Sequence, residues 1–390
     1  MGHALAEQRF GRETEGAYMY LGIQKGLEKI ILPDVYHENE ISVLVHIDGM
    51  QIYNNSQIQV WPISIKIFNS NYICKSFVAG IYYGDSKPQN SNNYLNDFVK
   101  EAKNLINNGI TLNGKRYLFK IFAIVADAIA RAFIKNCKVH NTFYALYPEI
   151  NCNLRNKESF ENRQQPQHHK GDVDSILLEL PNFDIINSVV IDSIHLLYLG
   201  VMKSLLEKWI SKKSVAGLNT QKTSDTMNFI SRDIPCEFQG KKFDIDVIGR
   251  WKATQFRFFL LFCSSTILHG LLPNDFYKHF LLLFVACRIL NKQNITLLIH
   301  LADDVKNSKV SLSELSSFWG ESYISIFKKL VKSPNKPLVQ IINRLSELES
   351  RQTHKIKEKR YFANCVQTYI FIKRKNTLLY PVLIILIISY

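Results

Sequence analysis

The chain lacks any Cys-x-x-Cys pair. Its seven cysteines (Cys74, Cys137, Cys152, Cys236, Cys263, Cys287 and Cys365) are scattered and odd in number. That excludes a disulfide scaffold or zinc ribbon and predicts packed, reduced thiols in an intracellular protein. GxxxxGK[ST], GxGxxG, HExxH and GxSxG are also missing. Nucleotide hydrolysis, dinucleotide redox chemistry, zinc proteolysis and α/β-hydrolase chemistry therefore have no motif behind them. The first residues, MGHALAEQRFGRETEG, are polar and charged, so no secretory leader is expected. The longest apolar run, LLYPVLIILIISY at 378–390, is broken by Pro381. It falls short of the roughly 20 residues a membrane-spanning helix needs. It reads as a buried strand or a read-through end rather than an anchor, and membrane association is not expected. No heptad or 20–50-residue repeat is present, which argues against coiled coil and solenoid.

What is present is a 390-residue chain, 46% hydrophobic and 12% aromatic, with material for two or three domains or one large one. Acids are in deficit: 34 Asp and Glu against 48 Lys and Arg, a formal charge of +14. A field of that sign favours polyanions, nucleic acid before anionic membrane.

Residues 1–25 read as a loose lead-in. ISVLVHIDGM (41–50), IQVWPISIKIFN (58–69) and ICKSFVAGIYYG (73–84) are β-branched runs at short spacing, an expected antiparallel meander. Pro62 predicts that the second strand starts, bulges or lies at an edge there. SKPQNSNNYLNDFVKEAKNLINNG (86–109) turns helical, with Gly109 placed to end the helix. LNGKRYLFKIFAIVAD (112–127) is a turn and a long strand, and AIARAFIKNC (128–137) a helix. ENRQQPQHHKGDVD (161–174) is a polar loop. From 175 the pattern is mainly α: a helix over 190–210, apolar helices over 251–272 and 276–292, further helix over 318–350, then a basic and apolar tail from 351. The fold class expected is α/β, with a β-rich block over 26–160, helices over 175–317 and a last helical region over 318–350.

Asp48 and Asp127 each close an apolar strand run. If their strands are neighbours, both carboxylates reach one rim and could hold hard divalent cations, which two-metal sites space roughly 4 Å apart. The alternatives are a turn at Asp48-Gly49 and a helix cap at Asp127. Asp192 and His195 share one helix face at i, i+3, either as an acting pair or as a cap beside a structural histidine. His168 and His169, adjacent in a polar loop, read as solvent-exposed. Arg250, Trp251 and Lys252 could grip phosphate and stack on a base, or Trp251 could be core with its cations snorkelling. Glu321, ahead of Lys328 and Lys329, suits a helix first turn or a further metal ligand.

Eight stretches carry a family likeness in one order: HIDGMQIYNNSQIQVWPI, VAGIYYGDSKPQNSNNYLNDFVKEAKNL, ADAIARAFIKNCKVHNTFY, HHKGDVDSILLEL, IDSIHLLYLGVMKSLLEKW, IGRWKATQFRFFLLF, FYKHFLLLFVACRIL and LIHLADDVKNSKVSLSELSSFWGESYISIFKKLV. Over about residues 18–345 the chain resembles the "transposase domain-containing" proteins related to CACTA-class DNA transposases. The resemblance implies a ribonuclease-H-like core, a mixed sheet flanked by helices, with a large mainly α-helical insertion. It implies DDE-type DNA cleavage and strand transfer with two Mg²⁺ or Mn²⁺ ions, held by Asp48, Asp127 and a third acid. Glu321 falls in the third acid's place, with Asp192 and His195 as the other candidates. Arg250, Lys252, Lys328 and Lys329 become candidate DNA contacts. The implied partners are transposon-end DNA and further copies of the chain, with no small-molecule substrate, in the nucleus, or in the cytoplasm for a decayed copy.

The chain also departs from that family. HNTFYALYPEI (140–150) lacks the family's CxxC, so a structural zinc is not expected. Gln255 stands where Glu is common, Trp319-Gly320-Glu321 replaces Phe-Glu, and a counterpart of the family's N-terminal DNA-binding module is not expected. These differences read as decay of a transposon copy, with catalysis impaired, or as a scaffold kept for binding nucleic acid or protein without cutting.

Overall fold

The computed structural model describes residues 16–53, 57–68, 76–138, 155–211, 214–231, 244–292, 310–333 and 336–351. The 140–150 stretch, the basic runs at 354–360 and 372–375, and the apolar run at 378–390 lie outside them. The chain is α/β. Its mixed eight-stranded sheet comprises β1 (Ala17–Tyr20), β2 (Glu40–Ile47), β3 (Met50–Gln51), β4 (Gln59–Ile67), β5 (Phe77–Gly84), β6 (Ile110–Leu112), β7 (Lys115–Ala126) and β8 (Val189–Ile191). The order is β1-β5-β4-β2-β7-β6, with β3 on β4 and β8 on β7. The expected meander of β2, β4 and β5 is antiparallel, whereas β2–β7 and β7–β8 are parallel. Pro62 lies inside β4, beside a register shift at Ile63/Ser64, which is the bulge its missing N–H calls for.

The helices are α1 (Ile23–Ile30), α2 (Ser91–Asn108), α3 (Ala128–Ile134), α4 (Lys157–Glu161), α5 (Ile194–Met202 π-wound, then Lys203–Ile210), α6 (Thr220–Ser231), α7 (Ala253–Phe258, a π-wound Phe259–Cys263, then Ser264–Leu268), α8 (Asn274–Lys292), α9 (Phe318–Leu330) and α10 (Pro337–Arg351). α2 shows why such segments fold locally. The Asn90 side chain accepts from the N–H groups of Asn92 and Asn93, and Gly109, at φ 71°, ends the helix. Between them Leu95, Phe98, Val99, Ala102 and Leu105 form the stripe that buries against the sheet. Each of the larger side chains contributes about 1.5–3 kcal/mol, and the Ala102 methyl about 0.8.

One sheet face carries α1, α2 and α3 over a core that includes Val43, Val45, Ile47, Phe98, Phe119 and Ile124. On the other, α9 and α10 cover Val60, Val78 and Ile81. Leu315 and the flank of Trp319 cover Leu44, Ala123, Val125 and Val190. α5 to α8 build a separate apolar cluster around Met202, Leu206, Phe256, Phe259 and Cys287. Burial along β7 follows this layering. Tyr117, Phe119 and Ile121 alternate with outward Leu118 and Lys120, and Ala123 to Ala126 are buried on both faces.

Three expectations are corrected. Residues 17–25 are not a loose lead-in. β1 pairs with β5, and the Glu101 carboxylate fixes the start of α1, accepting from Ile23 N (2.8 Å), Gln24 N (3.0 Å) and the Tyr20 hydroxyl. The helix expected over 190–210 begins only at Ile194, because Val189–Ile191 are β-branched and pair with β7. His169 is not exposed: it is 5% accessible, and its segment bridges to Cys137. Trp251 is core, its indole N–H donating to Asp244 O at 2.9 Å, with Arg250 and Lys252 exposed beside it. Cys137, Cys263 and Cys287 are buried free thiols, and the other four lie outside the described residues. No described helix is long and apolar enough to cross a membrane.

Candidate metal centre

Parallel strands deliver their C-terminal ends to one edge. In the register of β2, β7 and β8, His46 stands beside Val125 and Val125 beside Val190, while Ala126 pairs with Ile191. The residues just beyond are therefore level: Asp48 after β2, Asp127 after β7 and Asp192 after β8. Three acids line one rim on three adjacent strands. The Asp192 N–H, donating to Ala126 O at 2.9 Å, extends the ladder into this row.

The fourth acid arrives on a helix. α9 packs its first turn against β2 at Gly320, where a Cβ would lie 2.2 Å from His46 Nδ1. This close approach sets Glu321, the next residue, over Asp48. One ligand atom each from His46, Asp48 and Glu321 lies within 4.8 Å of the others. No other described group of three His, Cys, Asp or Glu side chains converges in this way. Gly320→Ala should force α9 off β2, cost about 1–3 kcal/mol in chemical denaturation, and remove any stabilisation by divalent cation. An unchanged denaturation midpoint would contradict the contact.

The electrostatics follow from crowding. The Asp48 carboxyl is pushed up to about 8, first by burial and then by repulsion from Asp127 and Glu321. Burial also raises Glu321, against the opposing pull of His195. Burial lowers His46 to about 4, so its imidazole is neutral at neutral pH. Glu321 Oε1 and His46 Nδ1 are buried with no hydrogen-bond partner. Two crowded carboxyls, one with an orphaned oxygen, beside a neutral imidazole suit a divalent cation, which would offset the burial and repulsion that raise both groups.

Asp192 and Asp127 are otherwise engaged. Asp192, 1% accessible, accepts from the N–H groups of Ile194, His195 and Ser317, and its Oδ2 lies 2.7 Å from His195 Nδ1. Burial pushes this carboxyl up, but the bonds from His195 and Ser317 outweigh it and hold it low. The Asp192 bond in turn raises His195 to about 9, so it is a cation at neutral pH. Asp192 thus ties β8 to the start of α9 and aims His195, and its oxygens are saturated by protein donors. Asp127 caps α3, accepting from Ala130 N at 2.6 Å, and acts on Asp48 through its charge.

The expected DNA contacts lie further out. Lys328 and Lys329 are exposed about two helical turns beyond Glu321, and Arg250 and Lys252 are exposed at the approach to α7. Sequence reading missed His46, although it lies two residues before Asp48 on a strand and so on the same face. It missed Arg257, whose guanidinium sits 5.5 Å from the Phe318 ring in the first turn of α9. No protein-family model matches the chain, and no curated protein matches its sequence.

Proposed function

We propose that the chain is a transposase-derived protein whose rim of acids binds divalent metal and cleaves DNA phosphodiesters. The observation that carries this is the level row of Asp48, Asp127 and Asp192 on adjacent strand ends, with Glu321 set over Asp48. The mixed sheet, antiparallel through β5, β4 and β2 and parallel through β7 and β8, with helices on both faces, supports a ribonuclease-H-like core. The helical cluster of α5 to α8 corresponds to the insertion.

Asp48 and Glu321 would hold Mg²⁺ or Mn²⁺, with His46 as a neutral third donor and Asp127 keeping the rim negative. The bound ion would supply Lewis-acid polarisation of the phosphate and a more acidic water. His195 holds a proton beside the same carboxylates, where it can meet a departing oxygen. Arg250, Lys252, Lys328 and Lys329 would bear on the DNA backbone. The reading carries with it transposon-end DNA as substrate, assembly with further copies and a nuclear site of action.

The test is nicking of terminal-repeat duplex DNA in Mn²⁺. Wild type should nick, and Glu321→Gln should reduce the rate about 100-fold or more, each 1.36 kcal/mol of lost stabilisation being tenfold. A second reading, a scaffold retained for binding alone, is favoured by the commitment of Asp127 to Ala130 N and of Asp192 to three backbone donors. Salt-sensitive DNA binding with no nicking would decide for it.

A further inference from the structure

The side chains that converge over the rim do not offer one kind of donor. Asp48 and Glu321 bring carboxylate oxygens and His46 brings an imidazole nitrogen, with one ligand atom of each within 4.8 Å of the others. His46 is more than a packed core residue. It is 1% accessible, its Nδ1 has no hydrogen-bond partner, and the Trp319 ring stands edge-on to it with centroids 5.8 Å apart. Folded proteins leave few buried polar atoms unpaired, and Glu321 Oε1 in the same cluster is a second one.

Both sides of the set are held by close backbone contacts. Gly320 brings α9 against the imidazole, as described above. Gly49 lies against the Trp61 indole, where a Cβ would come within 2.4 Å of Cε2, and its N–H donates to Asp48 Oδ1 at 2.7 Å. His46 and Asp48, two apart on extended chain, are therefore presented together with little freedom to rearrange. Asp48 and Glu321 are half-buried, so the set opens at the rim while the nitrogen lies beneath.

Such a donor set discriminates between ions of equal charge. Mg²⁺ prefers oxygen, demands near-ideal octahedral geometry and gives up its waters reluctantly. Imidazole suits first-row transition ions, whose affinity for a mixed nitrogen and oxygen site rises from Mn²⁺ to Co²⁺. Three protein donors with a position left for water is also the pattern of catalytic zinc. A histidine is mostly uncharged at neutral pH and burial favours that form further, so the lone pair is available without release of a proton.

We infer, on the reading that the rim holds metal, that His46 is the ligand that sets its selectivity, and that the site takes a transition ion of the Zn²⁺ and Co²⁺ class ahead of Mg²⁺, with Mn²⁺ between them. Full-length protein stripped with EDTA and exchanged into a non-chelating buffer is titrated with CoCl₂ and with MgCl₂ by calorimetry, and visible d–d absorption follows the bound Co²⁺. Wild type should bind Co²⁺ about 100-fold more tightly than Mg²⁺. His46→Phe keeps a ring beside Trp319 and removes the nitrogen. It should weaken Co²⁺ about tenfold or more and leave Mg²⁺ within about twofold. Asp48→Asn should weaken both ions, which places the bound Co²⁺ at the rim.

Co²⁺ affinity unchanged by His46→Phe overturns the inference, as does a wild type that binds Mg²⁺ as tightly as Co²⁺. Pulsed EPR of Mn²⁺-loaded wild type needs no variant: coupling to an imidazole ¹⁴N is expected, and its absence overturns the ligand. A wild type that binds no divalent ion at all brings down the metal reading as well, whereas equal affinity for the two ions brings down the selectivity alone. DNA is absent from every readout, so selective binding by a protein that never nicks leaves His46 in its role.

Discussion

Asp48→Asn should abolish Mn²⁺-dependent nicking, lowering the rate by about 1,000-fold or more, while the metal-free protein becomes more stable. Both effects come from one side chain. Asp48 sits among His46, Glu321 and Asp127, where its charge is buried and repelled. The amide removes the oxygen anion a hard cation requires, and metal polarisation of a phosphate contributes several kcal/mol to the barrier. It also removes a carboxyl that the apo fold must keep protonated at neutral pH, a cost the neutral amide does not carry, so the denaturation midpoint without metal should rise above wild type and no longer respond to Mn²⁺. Nicking that survives the substitution would take Asp48 out of the chemistry. A metal-free midpoint that falls would show that the crowding of carboxyls is not destabilising.

The second large effect is on pH. Stability falls with rising pH wherever the native state holds more protons than the unfolded chain. Asp48, raised from 3.8 to about 8, holds an extra proton across that window. His195, raised from 6.5 to about 9, does the same above 6.5. His46 and His168, lowered from 6.5 to about 4 and about 3, act in the opposite sense below 6.5. Below pH 6.5 these contributions oppose one another, whereas from 6.5 to about 8 Asp48 and His195 act together, and from 8 to 9 His195 acts alone. Metal-free protein should therefore lose up to about 5 kcal/mol from pH 6.5 to 9, at 1.36 kcal/mol per unit and proton, less what solvent screening takes from the partly exposed His195. Urea midpoints at half-unit intervals measure it. Mn²⁺ should flatten the decline by displacing the Asp48 proton, and Asp48→Asn should leave only the shallower slope of His195. A midpoint constant over this range would refute the assigned protonation.

Much of this site was legible one residue at a time, and its assembly was not. Asp48 and Asp127 stand out because each ends a β-branched run, and that local pattern survives into the fold as two parallel neighbours. Nothing in their spacing says that β2 and β7 pair level, since register depends on packing of the whole sheet. Asp192 was seen, but as part of a helix: three β-branched residues ahead of a long helical periodicity were absorbed into it. His46 stayed hidden because an apolar strand gives no sign of which polar residue a distant helix will meet. That helix meets it at Gly320, whose missing side chain matters only once α9 is in place. His168 and His169 misled for the converse reason, since a polar, proline-bearing loop can still be pinned by backbone bonds and an aromatic ring.

The link from Ser317 to Asp192 joins positions 125 residues apart, and the contact of Glu321 with Asp48 spans more than twice that distance. A ribosome adding about 5–20 residues per second needs roughly 15–55 seconds between the two carboxylates. A nascent chain can thus complete the sheet while lacking its last acid, so cutting competence would be withheld until Glu321 has been added and α9 has formed.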